Sequence, residues 1–499
     1  MNEARAPDPG HTAKRAALDR SLLSGIVWTG AAKWTTQALS WASTLVLARL
    51  LTPRDYGIVG MAMVALGFVQ LVSEFGVGTA IVRRRELTPR QIAQIGGFAV
   101  ALGAFLMFLV IGIAKPLAAL QDNEAVGPVT AVLGLSFLLN SFRTVPTALL
   151  ERDLDFRTLA VVDGLQSLVQ ITLSFGLAWA GKGYWALVLG QVGARAFGAA
   201  LVAIARPHRL RVPLPFAPIA AEVKFGGSVV ASGLAWYLYS NADFALVGKL
   251  LGATALGAYT FGWTLSGIPL EKTNELVQRV SGAVISRTQQ DTAGVRRYLL
   301  GITEGVSLLT FPLSVGLALV ADVFVPVVLG TQWITAIPVL RVLSIAAALR
   351  SLDPLLAQLL FATGHARENA KTMILAAVTM PFLFYVGSKW GTIGVAATWL
   401  IAYPFVVLWR QVRSALLVTD TRLSLYLMAI WPAASSTAIM AAAVLTVRTA
   451  TRTLPPALSL ALEVGAGAIA YFGALVIGHR DRVLAIRDAV TTARRASAN

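Results

Sequence analysis

The chain of 499 residues contains no cysteine. That absence excludes disulfides, cysteine-ligated zinc, iron–sulfur clusters and thiol chemistry together. Histidine is almost as scarce: His11, His208, His365 and His479 are the full set, and none stands at a metal-ligand spacing from another. No glycine-rich loop ending in Lys and Ser or Thr is present, so the chain carries no phosphate-binding loop of an ATPase. Acidic residues number 25 against 42 Lys and Arg, and charged residues make up only 13% of the chain. No acidic cluster or large polar segment is available to form an extramembrane catalytic domain. These absences together disfavour an enzyme, and nothing in the chain implies a cofactor or a metal.

What is present is apolar sequence, at 56% of residues and a mean hydropathy of +0.69. It is arranged in about fourteen stretches of roughly twenty residues, the length that crosses a hydrocarbon core of about 30 Å as helix. The expected spans are 21–49, 57–82, 92–114, 125–150, 157–181, 183–205, 223–250, 255–282, 298–329, 334–363, 370–388, 391–417, 423–447 and 455–478. The fold class is therefore an all-α polytopic membrane protein. The gaps alternate in charge: one side receives only Arg49, Arg54, Lys115, Lys182, Lys249, Lys389, Arg448 and Arg452, and the other takes most of the remaining Lys and Arg. By the positive-inside rule the rich side is cytoplasmic and both termini lie there. The net charge of +17 is scattered over several such segments rather than gathered on one face, which points to anionic lipid and away from nucleic acid.

A weak internal repeat supports a two-lobe organisation. Arg49, Leu50, Leu51 and Gly57 align with Lys249, Leu250, Leu251 and Gly257, while Ala42 and Gly67 align with Ala242 and Gly267. Segments 1 and 7 both leave the cytoplasm, so the halves would be parallel lobes of six helices facing a central cavity. The expected domains are a cytoplasmic tail 1–20, an N-lobe 21–205, a connector 206–222, a C-lobe 223–417, two additional helices within 418–478 and a tail 479–499.

Several spans carry polar side chains three or four residues apart, which places them on one helix face. Segment 1 has Lys33, Gln37, Ser40 and Thr44; segment 4 has Asn140, Arg143, Thr144 and Thr147; segment 5 has Asp163, Ser167, Gln170 and Ser174. Segment 6 contributes Gln191 and Arg195, and segment 7 Ser232, Trp236, Tyr239 and Asp243. Ser, Thr and Gln at this spacing also serve as interhelical hydrogen-bond glue. Charge at mid-span is costlier, about 2.5 to 3.5 kcal/mol on insertion scales, and needs water or a counter-ion. Lys33, Arg143 and Arg195 are thus the candidate anion ligands, with Gln37 beside them. Asp243 either binds a driving proton or cation, or neutralises a basic group such as Lys33. Lys272 sits in a charged cluster with Glu271, Glu275 and Arg279, equally suited to a salt-bridged latch or to a substrate contact. Arg350 and Asp353, three apart, are spaced to pair with each other, and Arg341 to snorkel.

Three groups of residues resemble a known family. They are Leu50-Leu51-Thr52-Pro53-Arg54-Asp55-Tyr56-Gly57 with Glu74 to Arg84; Asp243 with Gly248 to Gly252 and Leu256-Gly257-Ala258-Tyr259; and Gln332-Trp333, Pro338 to Arg341 and Ala362-Thr363-Gly364-His365. Their order and spacing resemble polysaccharide flippases of the Wzx type, in the multidrug/oligosaccharidyl-lipid/polysaccharide exporter superfamily. The resemblance covers roughly residues 20 to 420 and departs at Gln278 to Gly282, where many relatives are more apolar. It implies two six-helix bundles plus two C-terminal helices in a bacterial plasma membrane. The implied activity is alternating-access transfer of an undecaprenyl-diphosphate-linked oligosaccharide, with a coupling proton or sodium ion and a polymerase among the expected partners. Two other readings stay open: a cation-coupled small-molecule exporter, which predicts an acidic cavity, and a non-transporting scaffold for envelope assembly.

Overall fold

The computed structural model describes residues 43–73, 81, 87–211, 220–288 and 291–482. Among these there is no strand. The helices are α1 (Pro53–Ser73), α2 (Pro89–Leu120), α3 (Val126–Arg152), α4 (Phe156–Trp179), α5 (Tyr184–Ala205), α6 (Ala220–Thr288) and α7 (Thr292–Phe324). They continue with α8 (Ile337–Arg350), α9 (Asp353–Ala362), α10 (Ala366–Ser388), α11 (Gly391–Tyr403), α12 (Trp409–Val418), α13 (Leu423–Thr451) and α14 (Pro456–Gly478).

Eleven stretches among the described residues are long and apolar enough to cross a membrane. Expected segments 3 to 6 and 9 to 14 each coincide with one of them. Segments 7 and 8 fall in a single stretch, Trp236–Glu271, because α6 runs through its break rather than ending there. The break is at Gly252, whose φ of 86° is left-handed and open to glycine without the Cβ penalty. Segment 2 begins in α1, and segment 1 lies largely outside the described residues, so the total of fourteen is not established as a count.

Short turns make successive helices antiparallel neighbours. Thr88 and Gln91 form a reciprocal capping box at the start of α2, satisfying two backbone donors that the first turn leaves free. Asp155 caps α4 by accepting from the Thr158 amide at 3.1 Å and its hydroxyl at 2.7 Å. Those hydrogen bonds hold its carboxyl below the usual range. Many outward side chains are bulky and apolar, such as Phe105, Phe108, Trp431, Phe472 and Ile477, as a lipid-facing surface requires.

The chain divides into two compact units, one formed by Ala62–Gly233 with the residues up to Leu51, the other by Thr52–Met61 with Leu234 onward. In the first, α2 packs on α3, α4 on α5, and α3 on α5. The connector straps this unit: Arg206 pairs with Asp153 at 2.6 Å, the Arg211 amide donates to the Ala93 carbonyl at 3.0 Å, and His208 packs over Gly96, where burial pushes its imidazole pKa down.

In the second unit, α7 packs against α8, α13 and α14. The C-terminal hairpin α13–α14 is firmly docked. Arg448 pairs with the fully buried Glu463 at 2.9 Å and with Asp322 of α7 at 3.2 Å. Asp322 also takes Arg341 at 3.1 Å, so Arg341 is ion-paired rather than simply snorkelling. Tyr471 donates to the Leu308 carbonyl at 2.7 Å. The first turns of α1 and of the second half of α6 also meet in this unit. A Cβ added at Gly57 would strike the Ala253 carbonyl, and one added at Gly257 would strike the Pro53 carbonyl. This exchange is reciprocal in the register of the internal repeat, as a local two-fold contact requires.

Candidate functional site

Lys33 and Gln37 lie outside the described residues, as does the side chain of Lys272. The other three candidates divide between the units.

In the first unit, Arg143 stands about 14 Å along α3 from its Arg152 end, nine residues at 1.5 Å each. Its Nη2 pairs with Asp163 of α4 and its Nη1 donates to Gln166 one turn further. The pair is partly open, with side-chain exposures of 23% and 58%. Gln166 lies against Gly198 of α5, where no larger residue would fit without displacing it. Gly198 is three residues from Arg195, on the same side of α5. Arg195 is half-buried, and among the described residues it has no hydrogen bond, ion pair or ring contact. It stands at the middle of its helix, roughly 16 Å from Tyr184. A charged side chain without a counter-ion persists at that depth only where water or an anion reaches it.

The polar stripe of segment 4 therefore does part of what its spacing predicts. Arg143 is engaged, while Thr147 is buried without a hydrogen-bond partner. In segment 5, Ser174 turns inward against Gly190, whereas Asp163 and Gln170 stay exposed.

In the second unit, Asp243 is 0% exposed and held by three donors. Tyr259 donates its hydroxyl to Oδ2 at 2.7 Å, Trp399 its indole N–H to the same oxygen at 2.8 Å, and the Phe244 amide donates to Oδ1 at 2.9 Å. Three of about four acceptor positions are thus occupied. The cation that faces it among the described residues is Arg350; Lys33, the partner suggested by the sequence, lies outside them.

Arg350 makes no ion pair within 4.0 Å among the described residues, Asp353 included. Its guanidinium lies over two adjoining indoles, 4.0 Å from the Trp263 centroid and 4.5 Å from that of Trp399, which are themselves 5.1 Å apart. Asp353 instead faces the Tyr403 hydroxyl, and its Oδ1 is buried without a hydrogen-bond partner. The i,i+3 spacing misleads because α8 ends at Arg350 and α9 starts at Asp353, so the two do not share an unbroken helix face. The seat of Arg350 on Trp263 and Trp399 was beyond sequence reasoning, because the three residues lie on separate spans and nothing in their spacing indicates proximity.

No group of three or more His, Asp or Glu suited to a metal ion occurs among the described residues. An all-helical arrangement with eleven membrane-length stretches among the described residues defines a polytopic membrane protein. The profile of the polysaccharide biosynthesis protein family matches residues 46–338, more than half of the chain. The chain belongs to that family.

Among its relatives is the lipopolysaccharide biosynthesis protein WzxC of Escherichia coli K12, 22% identical over 77% of this chain and 79% of its own length. The teichuronic acid biosynthesis protein TuaB of Bacillus subtilis 168 is 26% identical, covering 92% of this chain and 96% of that protein. The succinoglycan biosynthesis transport protein ExoT of Rhizobium meliloti is 22% identical over 66% of each. In fold, the chain is similar to the solved lipid II flippase MurJ in an inward closed conformation, with a TM-score of 0.74 at 12% identity, over 92% of this chain and 100% of that one. An inward-facing multidrug resistance MATE family transporter gives 0.57 at 16% identity, over 80% and 95%.

Proposed function

We propose that this protein translocates a lipid-linked oligosaccharide, carried on undecaprenyl diphosphate, across the bacterial plasma membrane by alternating access. The observation that carries the reading is Arg195, a mid-span guanidinium with no partner among the described residues, in the same unit as a second guanidinium, Arg143, whose ion pair is partly exposed. Arginine presents a planar fork of donors matched to phosphate oxygens. A diphosphate and its sugars would pass along the polar faces of α3, α4 and α5 while the prenyl chain stays in lipid. Lys33, Gln37 and Lys272 stay candidate cargo contacts on the strength of the sequence alone. The relatives named for lipopolysaccharide, teichuronic acid and succinoglycan biosynthesis and the fold shared with a lipid II flippase support the same class of cargo. A cation exporter would call for net negative charge on this face, and Arg143, Arg195 and Asp163 leave it positive.

The site residues remain proposals in this sense: Arg143 and Arg195 as anion ligands, and Asp243 as a structural acceptor rather than an ion site, since its oxygens are already engaged. The test is deletion in the host followed by complementation. Lipid-linked repeat units should accumulate in the cytoplasmic leaflet, wild-type protein should clear them, and Arg195→Ala should not. Normal surface polysaccharide in a deletion strain lacking any second family member would overturn the function.

A further inference from the structure

Among the described residues of the first unit, Arg143 is the mid-span guanidinium that already holds a carboxylate, and that carboxylate is the more exposed member of the pair. We infer that Asp163 is an exchangeable internal anion, occupying Arg143 when the path is empty and giving it up to the diphosphate of the cargo. The inference rests on the diphosphate reading above and adds a residue that sets affinity and release.

The geometry supplies each requirement. An exchange needs a carboxylate and a phosphate to compete for the same donors, and Nη2 of Arg143 is committed to Asp163 while Nη1 holds the neutral Gln166. Carboxylate and phosphate oxygens both accept from the guanidinium fork. The exchange also needs access to the pair, and Asp163 is its more open member, at 58% side-chain exposure. Finally the pair must be weak enough to break. Two partly solvated charges attract each other only modestly, unlike the sealed Arg448–Glu463 pair, whose carboxylate has no exposure.

The charge balance explains why such a residue is useful. Arg143 and Arg195 together carry two positive charges, and a diphosphate diester brings two negative ones at neutral pH. With Asp163 present the empty face keeps one net positive charge. Without it, two uncompensated guanidiniums would hold the diphosphate more tightly and release it more slowly. Asp163 thus lowers affinity in order to permit turnover, which is the requirement on any carrier whose site must load and unload.

The test measures binding to purified full-length protein in nanodiscs of zwitterionic lipid. The probes are farnesyl diphosphate, inorganic pyrophosphate and phosphatidylglycerol, so that a lipid diphosphate, a free diphosphate and a lipid headgroup are separated. Asp163→Asn should tighten farnesyl diphosphate binding about 1.5- to fivefold, from the strength of a partly exposed pair. Asp163→Glu should stay near wild type, and Arg143→Gln should remove the gain when combined with Asp163→Asn. In transport, Asp163→Asn should slow release and lower flux despite its tighter binding. Unchanged or weaker binding by a folded Asp163→Asn protein, while wild type binds and Arg195→Gln weakens it, overturns the exchange and leaves the diphosphate reading standing. A gain that persists with Arg143→Gln also overturns it, since general charge removal would then suffice. Wild-type protein that binds phosphatidylglycerol as well as it binds farnesyl diphosphate, with no effect of Arg195→Gln, ends both.

Discussion

Replacing Asp243 tests whether the second unit is built around a hydrogen-bonded carboxylate or around a charge. In the Asp243→Ala protein the Tyr259 hydroxyl and the Trp399 indole N–H both lose their acceptor, in surroundings where those residues are 0% and 1% exposed. A buried donor left unsatisfied costs about 1–3 kcal/mol in soluble proteins. Side-chain hydrogen bonds between membrane helices average nearer 0.6 kcal/mol, because the unfolded helices find other partners. Two donors therefore give roughly 1 to 6 kcal/mol, and the charged acceptor argues for the upper half. Asp243→Asn keeps one oxygen for both donors but turns an amide NH2 toward the Phe244 N–H, so it should cost less. Trp399→Phe and Tyr259→Phe remove one donor each and should cost least, with Trp399→Phe and Asp243→Asn coupled in a double-mutant cycle. Charge balance makes the opposite forecast. Asp243 and Asp353 share a single nearby cation, Arg350, and neutralising one carboxylate would leave that cation evenly paired. The assay is thermal unfolding in detergent, compared by order among variants because a chain of two units need not unfold in one step. A melting temperature of Asp243→Ala at or above that of Trp399→Phe would refute the hydrogen-bond account.

Gly57→Ala should destabilise the protein clearly, because the added Cβ meets the Ala253 backbone carbonyl and no rotamer change can relieve a clash with backbone. Gly257→Ala should do the same against Pro53, and the double variant should cost less than the sum, since one separation of the two turns accommodates both. Gly176→Ala, with nothing within 4 Å, is the control and should gain about 0.5–1 kcal/mol; equal melting temperatures for Gly57→Ala and Gly176→Ala would refute the contact. Asp155→Ala should lose about 1 kcal/mol at neutral pH by removing the α4 cap. Because the folded carboxyl is depressed by its Thr158 hydrogen bonds, its contribution is complete above the ordinary aspartate value and is lost as pH falls below it. The melting difference between wild type and Asp155→Ala should therefore vanish in acid; a difference constant down to pH 3 would contradict the assignment.

The helices were legible because the bilayer imposes a length, and apolar runs of that length have few alternatives. Expected boundaries such as 183–205 and 455–478 lie within a residue or two of Tyr184–Ala205 and Pro456–Gly478. The two-fold exchange at Gly57 and Gly257 was foreshadowed by the repeat of their flanking residues, although sequence identity alone could not show that the copies touch. The hairpin α13–α14 read as an appendix because its anchors are distant in sequence: Arg448 reaches Asp322, and Tyr471 reaches Leu308. Spacing along one helix identifies a face. It does not identify what faces back.

That limit separates three arginines that all fall within apolar spans of the sequence. Arg143 is met by a carboxylate on the next helix. Arg350 is met by two indole faces, which stabilise a cation without accepting a directed hydrogen bond. Arg195 is met by neither. A cation already balanced by a carboxylate must break a pair to take cargo, and one seated on rings must leave them, but one with no partner among the described residues breaks no contact of its own. Initial affinity for an anion should therefore reside in Arg195, with Arg143 joining as Asp163 withdraws and Arg350 remaining in the core of its own unit. Charge-reversing substitutions should follow that order: Arg195→Glu should abolish anion binding outright, Arg143→Glu should weaken it, and Arg350→Glu should act through stability alone.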